Sequence, residues 1–190
     1  MRVWLIRHGM TANGEQGRYQ GRLDDALSEA GRAALRAADF SPAHVYVSPA
    51  RRARETAAIL FPGAERRVVP ALREMDFGLF EGRSWREMEK DAAYRAWVDG
   101  GCVGRCPNGE DKAVYTARVN AAFSAILARE RGNAELVIVA HGGTQMALLE
   151  SRGEPARAYW QWQRPCGCGW LLEAEADGSL RVLEEVGFLR

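Results

Sequence analysis

Long hydrophobic runs are missing from this sequence. The opening apolar stretch, Val3 to Ile6, is far too short for the core of a secretory signal or a membrane-spanning helix, and no later stretch is long enough either. A soluble, cytoplasmic protein with no membrane partner is the expectation. An excess of one charge is also lacking. Lys and Arg number 26 against 25 Asp and Glu, and the formal net charge of +1 creates no long-range field that would recruit nucleic acid or an anionic membrane. Any anion site must therefore be local. There is no Walker-type phosphate loop, no cluster of Asp offering a magnesium site, and no internal repeat, low-complexity tract or linker. Cysteine is scarce, with four residues arranged as Cys102 and Cys106, then Cys166 and Cys168. C-x3-C and C-x-C could converge on zinc, although structural zinc sites more often show two similar C-x2-C pairs. Reduced thiols in Gly-rich loops are the preferred reading, because disulfides are rare in the cytosol.

What is present suits one globular unit: 190 residues, 47% of them hydrophobic, can bury a sizeable core. Short β-branched or aromatic runs alternate with longer segments of helical period. VWLI is followed by a helix near Ser28 to Asp39, then HVYV, a helix over Arg51 to Leu60, and RRVV. Ser84 to Val98 and Asp111 to Arg131 read as helices, separated by the breakers Gly100-Gly101 and Pro107-Asn108-Gly109. ELVIVA is a fully apolar strand of the kind buried on both faces of a parallel sheet. Trp170 to Ala174 and Leu180 to Glu185, joined at Asp177-Gly178, predict a hairpin on the sheet's edge. The rhythm is that of an α/β protein.

Two of the three histidines stand directly after apolar strands, His8 after VWLI and His141 after LVIVA, and each is followed by Gly. Ligands of open α/β sheets bind beyond the carboxyl ends of the strands, so the two imidazoles are placed at one edge. HVYV runs into Ser48-Pro49-Ala50-Arg51-Arg52, which delivers arginine to the same edge. A single His after a strand is more often a hydrogen-bonded loop residue, and an arginine pair opening a helix is usually solvated. Three coincidences on one edge favour a site. Arginine's planar fork matches phosphate oxygens, and Gly9 and Gly142 allow backbone N–H groups close to an anion. Arg7, Arg18 and Arg52 around two histidines describe a pocket for a phosphoryl group held without metal.

These residues also fall into a known pattern. LIRHGMT, GRYQG with Asp24, Leu27 and Gly31, SPARRARETA, LREMDFGLFEG and VAHGG occur in order along nearly the whole chain. With them the chain resembles the histidine phosphatase superfamily, which includes cofactor-dependent phosphoglycerate mutases and smaller phosphatases. The resemblance implies a three-layer αβα sandwich with a mostly parallel central sheet, one domain over residues 1–190, and a small helical cap inserted at about 80–110 over the carboxyl edge. It also implies that His8 is the nucleophile that becomes phosphorylated, that Arg7, Arg52 and His141 complete the phosphate pocket, and that Glu74 is the proton donor, with no cofactor. Nearby cations should lower the pKa of His8 and keep its nucleophilic nitrogen neutral. Asp76 and Glu81 are further carboxylates close to Glu74 and compete for the acid's role. His44, at the other end of its strand, has none.

The pattern is not followed everywhere. Gly14 stands where the family carries a phosphate-contacting Asn, and Asn13 is one position early. Either the backbone adjusts so that Asn13 reaches the phosphate, or that contact is absent. Met10 replaces a usually acidic or polar residue, a change expected to matter little.

The leading expectation is a metal-independent phosphatase acting on a small phosphomonoester through a phosphohistidine, with α-ribazole 5'-phosphate or a sugar phosphate as candidate substrate. PNGED at 107–111 resembles a P-x-G-E-S stretch of the phosphatases, including those like α-ribazole phosphatase. The alternatives are a phosphoglycerate mutase, whose chains generally carry a longer cap, and a non-catalytic phosphate-binding module. Association into a homodimer is left open.

Overall fold

A computed structural model describes residues 1–190. In chain order the elements are β1 (Arg2–Arg7), α1 (Ala12–Glu15), α2 (Glu29–Ala34), β2 (His44–Val47), α3 (Arg51–Leu60), β3 (Glu65–Val68), α4 (Ala92–Asp99), α5 (Lys112–Arg129), β4 (Glu135–Ala140), α6 (Gly142–Arg152), β5 (Gly153–Glu154), β6 (Cys168–Ala174) and β7 (Leu180–Gly187). One seven-stranded sheet runs in the order β3-β2-β4-β1-β6-β7-β5. Its pairings among β3, β2, β4 and β1 are all parallel, whereas β6 joins β1, and β7 joins β6, antiparallel.

The apolar run ELVIVA shows why the sheet is buried on both faces. Leu136, Ile138 and Ala140 pack into a core with Tyr115, Val119 and Phe123 of α5 and Met146 to Leu149 of α6. The alternate residues Val137 and Val139 pack into a second core with Ala53, Ala57 and Leu60 of α3, and with Leu27 and Leu35. Because successive side chains of a strand point to opposite faces, one six-residue strand serves both layers. The α/β fold with a mostly parallel sheet and helices on its two faces is as expected.

Three local expectations change. The helix starting after Ser28 stops at Ala34 instead of reaching Asp39. Leu35 is extended, 1% exposed and bridged to Leu189, and Arg36 N–H bonds to Phe188 carbonyl, so pairing with the chain's last residues ends the helix. The single helix expected over Ser84 to Val98 is a set of turns followed by α4. Ser84 and Asp91 decide this, since Ser84 N–H and hydroxyl bind Glu87, while the Asp91 carboxylate accepts from Ala93 and Tyr94 N–H and caps a new start. The hairpin forms with Gly178 at its turn in the left-handed region, φ 87°. It lies inside the sheet, however, with β6 against β1 and the two-residue β5 covering β7.

Candidate active site

β1 and β4 are parallel neighbours in register, with Arg7 opposite Ala140, so His8 and His141 leave the sheet side by side. Their rings lie 5.2 Å apart at 69°. Ser48, the first residue after β2, places its Oγ 2.6 Å from His141 Nε2. Arg52, in the first turn of α3, is fully buried and sits between the two imidazoles, its Nε 3.3 Å from His8 Nε2 and its NH2 3.4 Å from His141 Nδ1. The carbonyls of Gln20, Gly21 and Leu23 hold the rest of its guanidinium. Arg7 donates NH1 to the Arg164 carbonyl at 2.8 Å, while its Nε–H is buried without a partner. A Cβ on Gly142 would lie 3.3 Å from the Arg7 guanidinium, so glycine lets Arg7 lie close against the start of α6.

The tautomers follow from the partners. His8 Nδ1 is 2.7 Å from the Gly9 carbonyl, which only accepts, so Nδ1 carries the hydrogen and Nε2 keeps its lone pair. Arg52 only donates, so the same logic leaves His141 Nδ1 unprotonated and directs Nε2–H to Ser48. Both imidazoles are pushed well below 6.5. Burial is the main cause, followed by Arg52 and Arg7 at His8 and by Arg52, His8 and Arg7 at His141.

Glu74 faces this group from the loop after β3. Its Oε1 accepts from Tyr115 hydroxyl at 2.7 Å and Met75 N–H at 3.0 Å, and its Oε2 accepts from Gly143 N–H at 3.1 Å. Arg7, His8, Glu74, Tyr115, Gly142 and Gly143 line one cavity of about 360 Å³. Aromatic side chains form much of its wall, among them Tyr19, Phe77, Tyr159 and the half-exposed Trp85 and Trp160. Trp85, Trp97 and Cys102 of the 80–110 segment line the same cavity.

Four residues expected in the phosphate pocket are placed otherwise: Arg52 and His141 are fully buried and do not line the cavity, and Asn13 and Arg18 have other partners. Asn13 does not line the cavity, and its amide donates to Asp25 at 3.0 Å; the position the pattern reserves for Asn is occupied by cavity-lining Gly14. Arg18 reaches the cavity rim, but its guanidinium is spent on Gln16, the Gly82 carbonyl and Glu87. A cation with three local acceptors has little left to offer an incoming anion. The competing carboxylates are also committed elsewhere. Glu81 accepts from Gly21, Arg22 and Phe77 N–H, and Asp76 from Gly78 N–H, with Arg22 3.5 Å away. His44, at the opposite end of β2, faces Glu130 at 3.1 Å. The four cysteines are free thiols, that of Cys106 pushed up to about 12 by burial, and no group of three or more His, Cys, Asp or Glu is gathered to hold a metal.

The site also uses four residues to which the sequence gives no individual role: Ser48, Thr56, Gln20 and Tyr115. Thr56 accepts the Gly9 N–H at 2.9 Å and Gln20 lines the cavity. Position after a strand was an available signal for Ser48, whereas Tyr115 lies within a helix and carried none.

A strand-end histidine pair bracketing a buried arginine, with a carboxylate across the cavity, agrees with the sequence pattern. The profile of the histidine phosphatase superfamily (branch 1) matches residues 3–184. The chain belongs to that superfamily. It is 32% identical over 197 residues to the adenosylcobalamin/α-ribazole phosphatase of Salmonella typhimurium, covering 96% of each chain. It is also 34% identical over 203 residues to a probable phosphoglycerate mutase GpmB of Erwinia tasmaniensis, covering 94% of each. Among solved structures, the α-ribazole phosphatase of Shigella flexneri superposes with a TM-score of 0.79 at 29% identity, over 96% of both chains. A phosphoglycerate mutase of Thermus thermophilus gives 0.73 at 29% identity, over 98% of this chain and 99% of that one.

Proposed function

We propose that the protein is a metal-independent phosphomonoesterase that passes the phosphoryl group through His8. The observation carrying this reading is the His8 tautomer: with Nδ1–H committed to the Gly9 carbonyl, Nε2 is the unprotonated nitrogen, its lone pair met only by Arg52 Nε–H at 3.3 Å, under the charge of Arg52 and Arg7. In the first step His8 Nε2 attacks phosphorus, the N–P bond forms, and the ester P–O bond breaks. Arg7, with its unpartnered Nε–H, and the buried charge of Arg52 behind the two imidazoles offset the charge on the phosphoryl oxygens, where positioning and electrostatics supply most of the rate. Glu74, carrying a proton, gives it to the leaving oxygen. In the second step water attacks phosphorus, Glu74 takes its proton, and the N–P bond breaks to restore His8 and release phosphate.

The wall of the cavity favours hydrolysis over mutase chemistry. Arg7 and Arg18 are its only lysine or arginine residues, and the second is already paired, so no free cation is available for the carboxylate of a phosphoglycerate. Aromatic faces instead suit an ester with an uncharged, planar or apolar leaving group, as α-ribazole 5'-phosphate has in its base.

The test is a quench, without acid, of the protein with an aryl phosphate labelled on phosphorus, followed by peptide mapping, together with turnover assays on 3-phosphoglycerate in the presence and absence of chelator. The expected result is an acid-labile, base-stable adduct on the His8 peptide, steady phosphate release unchanged by chelator, and no isomerised phosphoglycerate. Label on His141, normal turnover by His8→Ala, or activity lost in chelator and restored by a divalent metal would overturn the assignment.

A further inference from the structure

Glu74 must hold a proton at one moment and accept one at the next, so which of its oxygens does this matters. A carboxylate offers about four lone-pair sites, two on each oxygen. On Oε1, Tyr115 hydroxyl and Met75 N–H occupy both. On Oε2, Gly143 N–H occupies one. We propose that Tyr115 is a positioning residue that makes Oε2 the proton-carrying oxygen of Glu74, by keeping Oε1 saturated with donors.

The direction of the hydrogen bonds is consistent. Fully buried, the Tyr115 hydroxyl can give its one hydrogen only to an acceptor, and Glu74 Oε1 at 2.7 Å is the nearest. Its oxygen is then free to accept from Thr144 Oγ1 at 3.3 Å, which orders a chain from Thr144 through Tyr115 to Glu74. When Glu74 is protonated on Oε2, Oε1 becomes carbonyl-like and still accepts both of its donors. No partner need be exchanged as the proton arrives and leaves, which is the condition for a preorganised acid. The backbone of the same residue is also fixed from α5: Arg118 NH2 lies 3.4 Å from the Glu74 carbonyl and its guanidinium stacks 5.0 Å over the Tyr115 ring.

This assignment rests on reading Glu74 as the acid and base, and the experiment separates the two. Tyr115→Phe removes the hydroxyl and keeps the ring. Phosphoenzyme formation in single turnovers should slow roughly 10- to 100-fold with an alkyl phosphate, whose leaving oxygen needs a proton, and less than about threefold with p-nitrophenyl phosphate. Inhibition by inorganic phosphate should stay within about twofold, since the arginine pocket is untouched. Thr144→Val, which leaves the phenol in place, should change rates in the same pattern by a smaller factor, and it serves as the test should Tyr115→Phe fail to fold. Glu74→Gln is run alongside. If it shows the leaving-group dependence and the Tyr115 and Thr144 variants do not, or if they slow both substrates equally, the role given to Tyr115 is wrong while the acid stands. If Glu74→Gln itself shows no such dependence, both assignments fall.

Discussion

At the scale of single residues, the phosphate site depends on which guanidinium edges remain unspent. Arg7 has a buried Nε–H with no partner, and Arg18 has three acceptors of its own. The two arginines, alike in sequence, should therefore behave differently. Arg7→Ala is expected to weaken competitive inhibition by inorganic phosphate at least about tenfold, in line with loss of one charge-assisted anion contact. Arg18→Ala should leave it within about twofold. Comparable losses in the two variants would mean that Arg18 swings from Glu87 to the phosphate. Asn13 follows the same logic, because an amide already donating to Asp25 is not waiting for a ligand.

At the scale of elements, the first turn of α6 joins the two halves of the site. Gly142 makes room for Arg7, and Gly143 N–H holds Glu74 Oε2. A Cβ on Gly143 would stand 2.2 Å from Glu74 Oε1 and 2.9 Å from the Tyr115 hydroxyl, inside any real contact distance. Gly143→Ala should thus displace the carboxylate and lower kcat on an alkyl phosphate by about 10²-fold, the scale of a 1 Å misplacement. Phosphate affinity should change far less. Near-normal kcat in Gly143→Ala would show that Glu74 can relocate without loss. The elements that departed from expectation did so through partners distant in sequence: α2 ends where Leu35 meets Leu189, and α4 starts where Asp91 rather than Ser84 supplies the cap.

At the scale of the whole molecule, the buried histidines link the site to stability. His8 and His141 are held well below 6.5 when folded, so between that lower value and about 6.5 the unfolded chain binds protons that the folded protein refuses. Their contribution to stability is complete above about pH 6.5 and is lost as pH falls through the unfolded value toward the folded one. Unfolding free energy should drop from pH 7 to 5 by up to about 2 kcal/mol per histidine. Denaturant titrations of the wild type and of His8→Ala at both pH values check this. The drop should be smaller in the variant, and an equal drop would mean that His8 takes up its proton as readily in the folded protein as in the unfolded chain.

Much of this architecture could be read locally. ELVIVA announced a strand covered on both faces and VWLI a short strand, and a histidine followed by glycine at each strand's end placed two imidazoles at one edge, since parallel neighbours deliver their carboxyl ends together. The Arg52 position at the start of α3 followed from the same rule. What remained belongs to contacts between distant segments. The aim of an arginine fork, the partner of Asn13, and which carboxylate lines the cavity with His8 depend on where loops after β1 and β3 come to rest. Tyr115 shows the limit most plainly. Its residue type and helical spacing are those of an ordinary core aromatic, and only the packing of α5 against the loop after β3 turns its hydroxyl into the donor that orients Glu74.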